Sequence, residues 1–150
     1  MTVFVTGGMD SGKTSFVRGL AVGLAARGLR VAGVVGPAKR ERGQKTLYFV
    51  ENLCTGFRRP LLRRTNLGPE VAPGGFAYGN SVLGRIKSGV AVVDEFGPIE
   101  LAGGGYFDET RRLARLKGVD LIVVVRRGLV KAAAEALGLK SYLVKKIYSR

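Results

Sequence analysis

Histidine is absent from this 150-residue chain and Cys54 is the only cysteine. No imidazole can therefore serve as general base or metal ligand, and neither a disulfide nor a Cys/His zinc site can form within the chain. Any catalysis must rest on carboxylates, lysine, arginine, hydroxyls or backbone groups. Acidic residues are also scarce: 11 Asp and Glu face 25 Lys and Arg, a net charge of +14. Eleven acids cannot neutralise that many bases, so a large basic excess must face solvent or an anionic partner such as a nucleotide or nucleic acid. The arginine pairs 58–59, 63–64, 111–112 and 126–127 are scattered, with no basic tail. For each pair taken singly, a solvated face is the favoured reading. No apolar run approaches the roughly 18 residues of a membrane span, and no charged leader with a cleavage site precedes the first strand-like segment. A cytoplasmic location and no membrane association are expected.

What is present is a hydrophobic fraction of 46%, ample for one core, with no internal repeat, low-complexity tract or long linker. One domain over residues 1–150 is expected. The apolar spacing alternates between two periods. Residues 2–6 read as a buried strand, and 13–27 as a helix with Phe16, Val17, Leu20, Ala21 and Leu24 on one face and Gly28 as its stop. A strand over 29–35 leads to a polar loop, "GPAKRERGQ". Residues 45–51 and 57–63 read as two strands joined by "NLCTG", and 64–76 as a loop. Further on come a helix at 80–87, a strand in "GVAVVDEF", a helix at 106–116, the strand "VDLIVVV", a helix at 129–137 and a last strand at 141–145. This order predicts an α/β fold: a mostly parallel sheet covered on both faces, with the 45–63 hairpin as an antiparallel edge.

Two motifs carry chemistry. "GGMDSGKTS" follows the first strand and opens the first helix, and its Gly7, Gly12, Lys13 and Thr14 match G-x-x-x-x-G-K-[ST] in full. Glycines let backbone N–H groups turn toward phosphate oxygens, lysine brings a cation to the outer phosphates, and the threonine hydroxyl ligates magnesium. The helix N-terminus adds its positive dipole end. Gly7, Gly8, Met9, Asp10, Ser11, Gly12, Lys13, Thr14 and Ser15 are thus the predicted nucleotide-binding segment, with Asp10 turned outward because a carboxylate repels polyphosphate. The second motif is "VAVVDEFGPIEL". Its four apolar residues form a strand that ends in Asp94 and Glu95, on the ligand side of an open α/β sheet. Asp94 is placed to hold Mg2+ with Thr14, and Glu95 to polarise a water for in-line attack.

"GGMDSGKTS", "DEFGPIEL" and "GGGYF" together resemble the small nucleoside-triphosphatase family of archaea, bacteria and animals, also called the cancer-related nucleoside-triphosphatase family. The likeness runs over nearly the whole chain, through "TLYFVENLCTGFRRPLLRR" and "LIVVVRRGLV". It implies a P-loop fold of the RecA-like or ASCE type and slow, magnesium-dependent hydrolysis of ATP, GTP and other nucleoside triphosphates. By position, it assigns phosphate and metal binding to Gly7, Gly12, Lys13 and Thr14, metal support to Asp94 and water activation to Glu95. The chain carries Phe96 where many members have isoleucine or valine, a matter of local packing, and residues 36–80 match loosely.

Glu100 is read as a helix cap or a support to the site. Arg126 or Arg127, at a strand end on the ligand side, is a candidate to stabilise developing phosphate charge, and Arg126 is the residue selected. Gly103, Gly104 and Gly105 read either as a segment closing over nucleotide or as a tight connection. Hydrolysis by a monomer is the preferred reading. The alternatives are a small-molecule or nucleoside kinase, with 36–44 as its lid, and a nucleotide-gated binding protein for nucleic acid or a cofactor-assembly partner.

Overall fold

The computed structural model describes residues 1–8 and 11–148. Strand β1 (Thr2–Gly7) leads into helix α1 (Lys13–Ala26) and then β2 (Val31–Val35). Four antiparallel strands follow: β3 (Ala38–Glu41), β4 (Gln44–Asn52), β5 (Arg58–Thr65) and β6 (Gly68–Val71). The rest of the chain is α2 (Gly75–Gly84), β7 (Gly89–Val93), α3 (Pro98–Leu101), α4 (Phe107–Arg115), β8 (Val119–Arg126), α5 (Val130–Ala136) and β9 (Leu143–Ile147). All strands join one sheet in the order β6-β5-β4-β2-β7-β8-β1-β9, with β3 paired to β4.

The five strands β2, β7, β8, β1 and β9 are mutually parallel. Their sequences are almost continuously apolar because both faces are covered. Alternate residues go to opposite sides: Val5, Val92 and Val124 meet Val17 of α1, while Phe4, Val93 and Val123 meet Leu83 of α2, Leu113 of α4 and Ala133 of α5. Helix α1 ends as its sequence suggests. Gly28 adopts φ +85, its N–H donates to the Ala25 carbonyl and the Leu29 N–H to that of Leu24, a paired closure that a left-handed residue permits. Phe96 is fully buried in the α2 side of the core.

Four expectations need correction. The polar segment 36–44 is not a free lid, because β3 lies within it and extends the line of β2 along β4, with the Phe49 N–H donating to the Pro37 carbonyl. The segment 64–76 is not a plain loop either: β6 pairs with β5, and α2 starts at Gly75 rather than at 80 and ends at Gly84 rather than at 87. Residues 36–44 are mostly polar and 64–76 hold three glycines and two prolines, so neither shows the apolar alternation of a strand. The antiparallel part of the sheet is consequently four strands, not a two-stranded hairpin. Among the described residues, no helix is long and apolar enough to cross a membrane.

Candidate functional site

The turn after β1 is shaped by its glycines and its lysine. A Cβ on Gly7 would lie 2.5 Å from both the Ile147 carbonyl oxygen and Ser11 Oγ, so no side chain fits there. Gly12 sits at φ +84, a left-handed conformation that glycine adopts without penalty, and α1 begins at the next residue. The Lys13 ammonium folds back over the turn, donating to the carbonyls of Gly8 at 2.7 Å and Gly7 at 3.2 Å, and to Ser11 Oγ at 3.4 Å. Ser11 is buried, and Ser15 faces solvent on α1. Met9 and Asp10 lie outside the described residues, so the outward orientation expected for Asp10 is not addressed.

The register of the sheet brings the second motif to the first. Asp94 follows the last paired residue of β7, and its N–H donates to the Val34 carbonyl of β2 at 3.2 Å. Its carboxylate is fully buried. Oδ2 accepts from the Thr14 hydroxyl at 2.8 Å and from the Gly36 N–H at 2.9 Å, while Oδ1 has no partner among the described residues. A buried carboxylate oxygen without a partner costs free energy unless a cation or water meets it. With the lone pairs of the Thr14 hydroxyl, this hard-oxygen donor set fits Mg2+, which takes one or two protein ligands and fills its shell with water and phosphate. Among the described residues no cluster of three or more His, Cys, Asp or Glu side chains forms an all-protein metal cage.

Glu95 is held at φ +67, a conformation that strains any residue with a Cβ and that tends to persist at functional positions. The Phe96 N–H donates to the Val124 carbonyl at 2.9 Å and fixes the chain just beyond it. Burial, then the neighbouring Asp94 charge, push the Glu95 carboxyl above the usual carboxylate range, against the pull of Arg126, Lys13 and Lys45. Burial likewise pushes Asp94 up, opposed by the Gly36 amide, the Thr14 hydroxyl, Lys13 and Arg18. Lys13 is pushed down by burial, with Glu95 and Asp94 opposing. The three groups therefore share one field.

Arg126 pairs across the ladder with Gly7, is exposed, and lines a cavity together with Asp94 and Glu95. Arg127 does not line it; its N–H donates to the Gly7 carbonyl at 3.1 Å. Glu100 is a structural group. Its two oxygens accept from the N–H groups of Gly97 at 2.9 Å and Tyr106 at 3.0 Å, closing the turns before α3 and α4. The glycines that follow form a tight connection, with the Gly103 and Gly104 N–H groups bonded to the carbonyls of Glu100 and Ile99. Of the basic pairs, Arg58 binds Glu51, Arg63 binds Glu41, and Arg111 and Arg112 bind Asp108 and Glu109.

One residue of the site escaped the sequence reading. Gly36 packs against the acid pair so closely that a Cβ would stand 3.3 Å from Glu95 Cγ and 3.7 Å from Asp94 Oδ2. Its only sequence signal is its position, the first residue after a predicted parallel strand, where ligand-side loops begin.

The parallel order β2-β7-β8-β1-β9 inserts one strand between the strand that carries the glycine turn and the strand that ends in the acid pair. This arrangement and site define a P-loop fold of the ASCE type. A family model described as NTPase matches residues 2–148, and the chain belongs to that family. It is 31% identical over 132 residues to the nucleoside-triphosphatase THEP1 of Methanopyrus kandleri, covering 83% of this chain and 73% of that one. To the protein of the same name from Ignicoccus hospitalis it is 31% identical over 102 residues, covering 65% and 59%. Two solved structures share the fold. The human cancer-related nucleoside triphosphatase has a TM-score of 0.77 at 23% identity, with 97% and 87% of the two chains covered. THEP1 from Aquifex aeolicus has a TM-score of 0.76 at 18% identity, with 99% and 90% covered.

Proposed function

We propose that the protein hydrolyses nucleoside 5′-triphosphates to the diphosphate and phosphate in a Mg2+-dependent reaction. The observation that carries this reading is the Thr14–Asp94 hydrogen bond, which ties the start of α1 to the acid pair. The loop amides and Lys13 hold the β and γ phosphates. Thr14 and Asp94 hold Mg2+, which when bound neutralises charge on the phosphate oxygens. Glu95 orients a water in line with the terminal phosphorus and accepts its proton as the new P–O bond forms and the bond to the bridging oxygen breaks. Arg126 offsets charge gathering on the phosphoryl oxygens. The same relatives, named nucleoside-triphosphatases, support the choice of hydrolysis.

The test is phosphate release from ATP, GTP, CTP and UTP with and without Mg2+, for the wild type and Glu95→Gln. Removal of a general base typically costs about a hundredfold or more in turnover. Glu95→Gln is expected to lose that much while keeping nucleotide affinity. Undiminished turnover in the variant would remove Glu95 from this role, and metal-independent release would remove Mg2+.

A further inference from the structure

We propose that the cavity beside Glu95 is a second-substrate site, which takes a nucleoside monophosphate as acceptor of the terminal phosphoryl group. The proposal rests on the assignment of the triphosphate to the glycine turn and the acid pair. The cavity measures about 510 Å³, within the range of pockets that enclose ring-sized ligands. It opens between the antiparallel strands and the α3 region, and none of residues 7, 8 and 11–15 lines it.

Its position relative to the triphosphate is the main argument. The cradle lies over β1, between β8 and β9, whereas the acid pair ends β7, on the β8 side. Thr14 joins cradle and acid, so the terminal phosphate lies toward β7 and the nucleoside extends the other way. The cavity has Asp94 and Glu95 in its wall and continues from there toward β4 and β5, so it begins where the triphosphate ends. A nucleobase belonging to the hydrolysed triphosphate would have to fold back past its own γ phosphate to reach it.

Its chemistry selects the occupant. Tyr48, Phe49 and Phe76 line it with aromatic side chains, Ile99 adds apolar surface, and two guanidinium groups, Arg64 and Arg126, set positive charge against the carboxylates of Asp94, Glu95 and Glu100 in the same wall. The Arg64 guanidinium lies over the Tyr48 ring, 5.4 Å from its centroid. An aromatic base with a phosphate meets both demands. In the transfer, a phosphate oxygen of the acceptor forms a bond to the γ phosphorus, and the bond from that phosphorus to the β–γ bridging oxygen breaks. The triphosphate leaves as diphosphate with the electron pair. The dianionic acceptor has no proton to lose, so the products are two nucleoside diphosphates and charge balances.

The experiment is calorimetric titration of AMP, GMP, CMP, UMP and dTMP into the whole protein saturated with Mg2+ and AMPPNP, followed by 31P NMR of ATP mixed with whichever monophosphate binds. At least one monophosphate is expected to bind one-to-one with Kd under about 1 mM, the weak end of specific affinities. Arg64→Ala and Ile99→Trp, each shown to be folded by its melting curve, are expected to weaken that binding tenfold or more. Diphosphate derived from the monophosphate is expected in the spectrum. No binding to the loaded protein, binding competitive with AMPPNP, affinity indifferent to both substitutions, or binding without transfer each overturns the proposal, and each leaves the hydrolysis reading intact. Failure of AMPPNP and of its guanosine, cytidine and uridine counterparts all to bind refutes the hydrolysis reading first.

Discussion

Gly36→Ala probes the positioning of Glu95. The φ of Gly36 lies outside the left-handed region, so alanine adopts its backbone without strain. The added Cβ meets Glu95 Cγ at 3.3 Å and must displace it by a few tenths of an ångström, while its contacts with Asp94 Oδ2 at 3.7 Å and the Phe49 carbonyl at 3.8 Å are ordinary. A misplacement of 1 Å in a reacting constellation costs about a hundredfold, roughly 2.7 kcal/mol. A third of that displacement corresponds to about 0.9 kcal/mol, a loss of about fivefold in kcat. Loss of chain entropy in the unfolded state favours the variant by about 0.4–1 kcal/mol, and the new contact costs a similar amount. Tm should then move by no more than about 3 °C. Steady-state phosphate release and a thermal melt measure both quantities, with KM for the triphosphate expected to hold because the cradle is untouched. An unaltered kcat would show that Gly36 does not set the position of Glu95, and a large fall in Tm would show that the alanine does not fit as argued.

Two further perturbations probe the frame around the site. Buried Glu51 joins Arg18 of α1 to Arg58 of β5; burial alone would raise its carboxyl, but the hydrogen bonds and charges of the two arginines hold it below the usual carboxylate range. A depressed folded pKa means that its stabilisation is present above the unfolded value of about 4.3 and is lost as pH falls through the folded value. Glu51→Gln is therefore expected to cost about 1 kcal/mol at pH 7, discounted for the half-exposed arginines, and progressively less as pH falls below the unfolded value. A melting-temperature difference between the two proteins that does not change with pH would contradict this. Gly79→Ala places a Cβ 2.4 Å from Tyr106 Cε1, and Tyr106 is fully buried against Phe76. Overpacking of this kind costs about 2–3 kcal/mol, so Tm should fall by about 6–9 °C, and a fall of under 2 °C would mean that the ring yields freely.

The glycine turn and the acid pair were legible because each is a local necessity. Gly7, Gly12, Lys13 and Thr14 recur at a fixed spacing between a strand and a helix, and an aspartate directly after four apolar strand residues marks the ligand end of a parallel strand. The parallel strands could be read from residues 90–93 and 121–125, whose unbroken apolar runs have no other use than two-sided burial. The edge was not legible. In β3, Lys39, Arg40 and Glu41 are all exposed, so no apolar alternation marks the strand, and only the ladder to β4 defines it.

The sequence by itself therefore determined the glycine-rich turn, the acidic strand end and the alternating α/β order, since these follow from residue type and spacing along the chain. The tertiary structure alone decided that Thr14 touches Asp94, that Gly36 bounds Glu95, and that a ring-sized cavity opens beyond the acid pair. Such contacts join residues far apart in the chain, and they are set by strand order and register, which no single segment encodes.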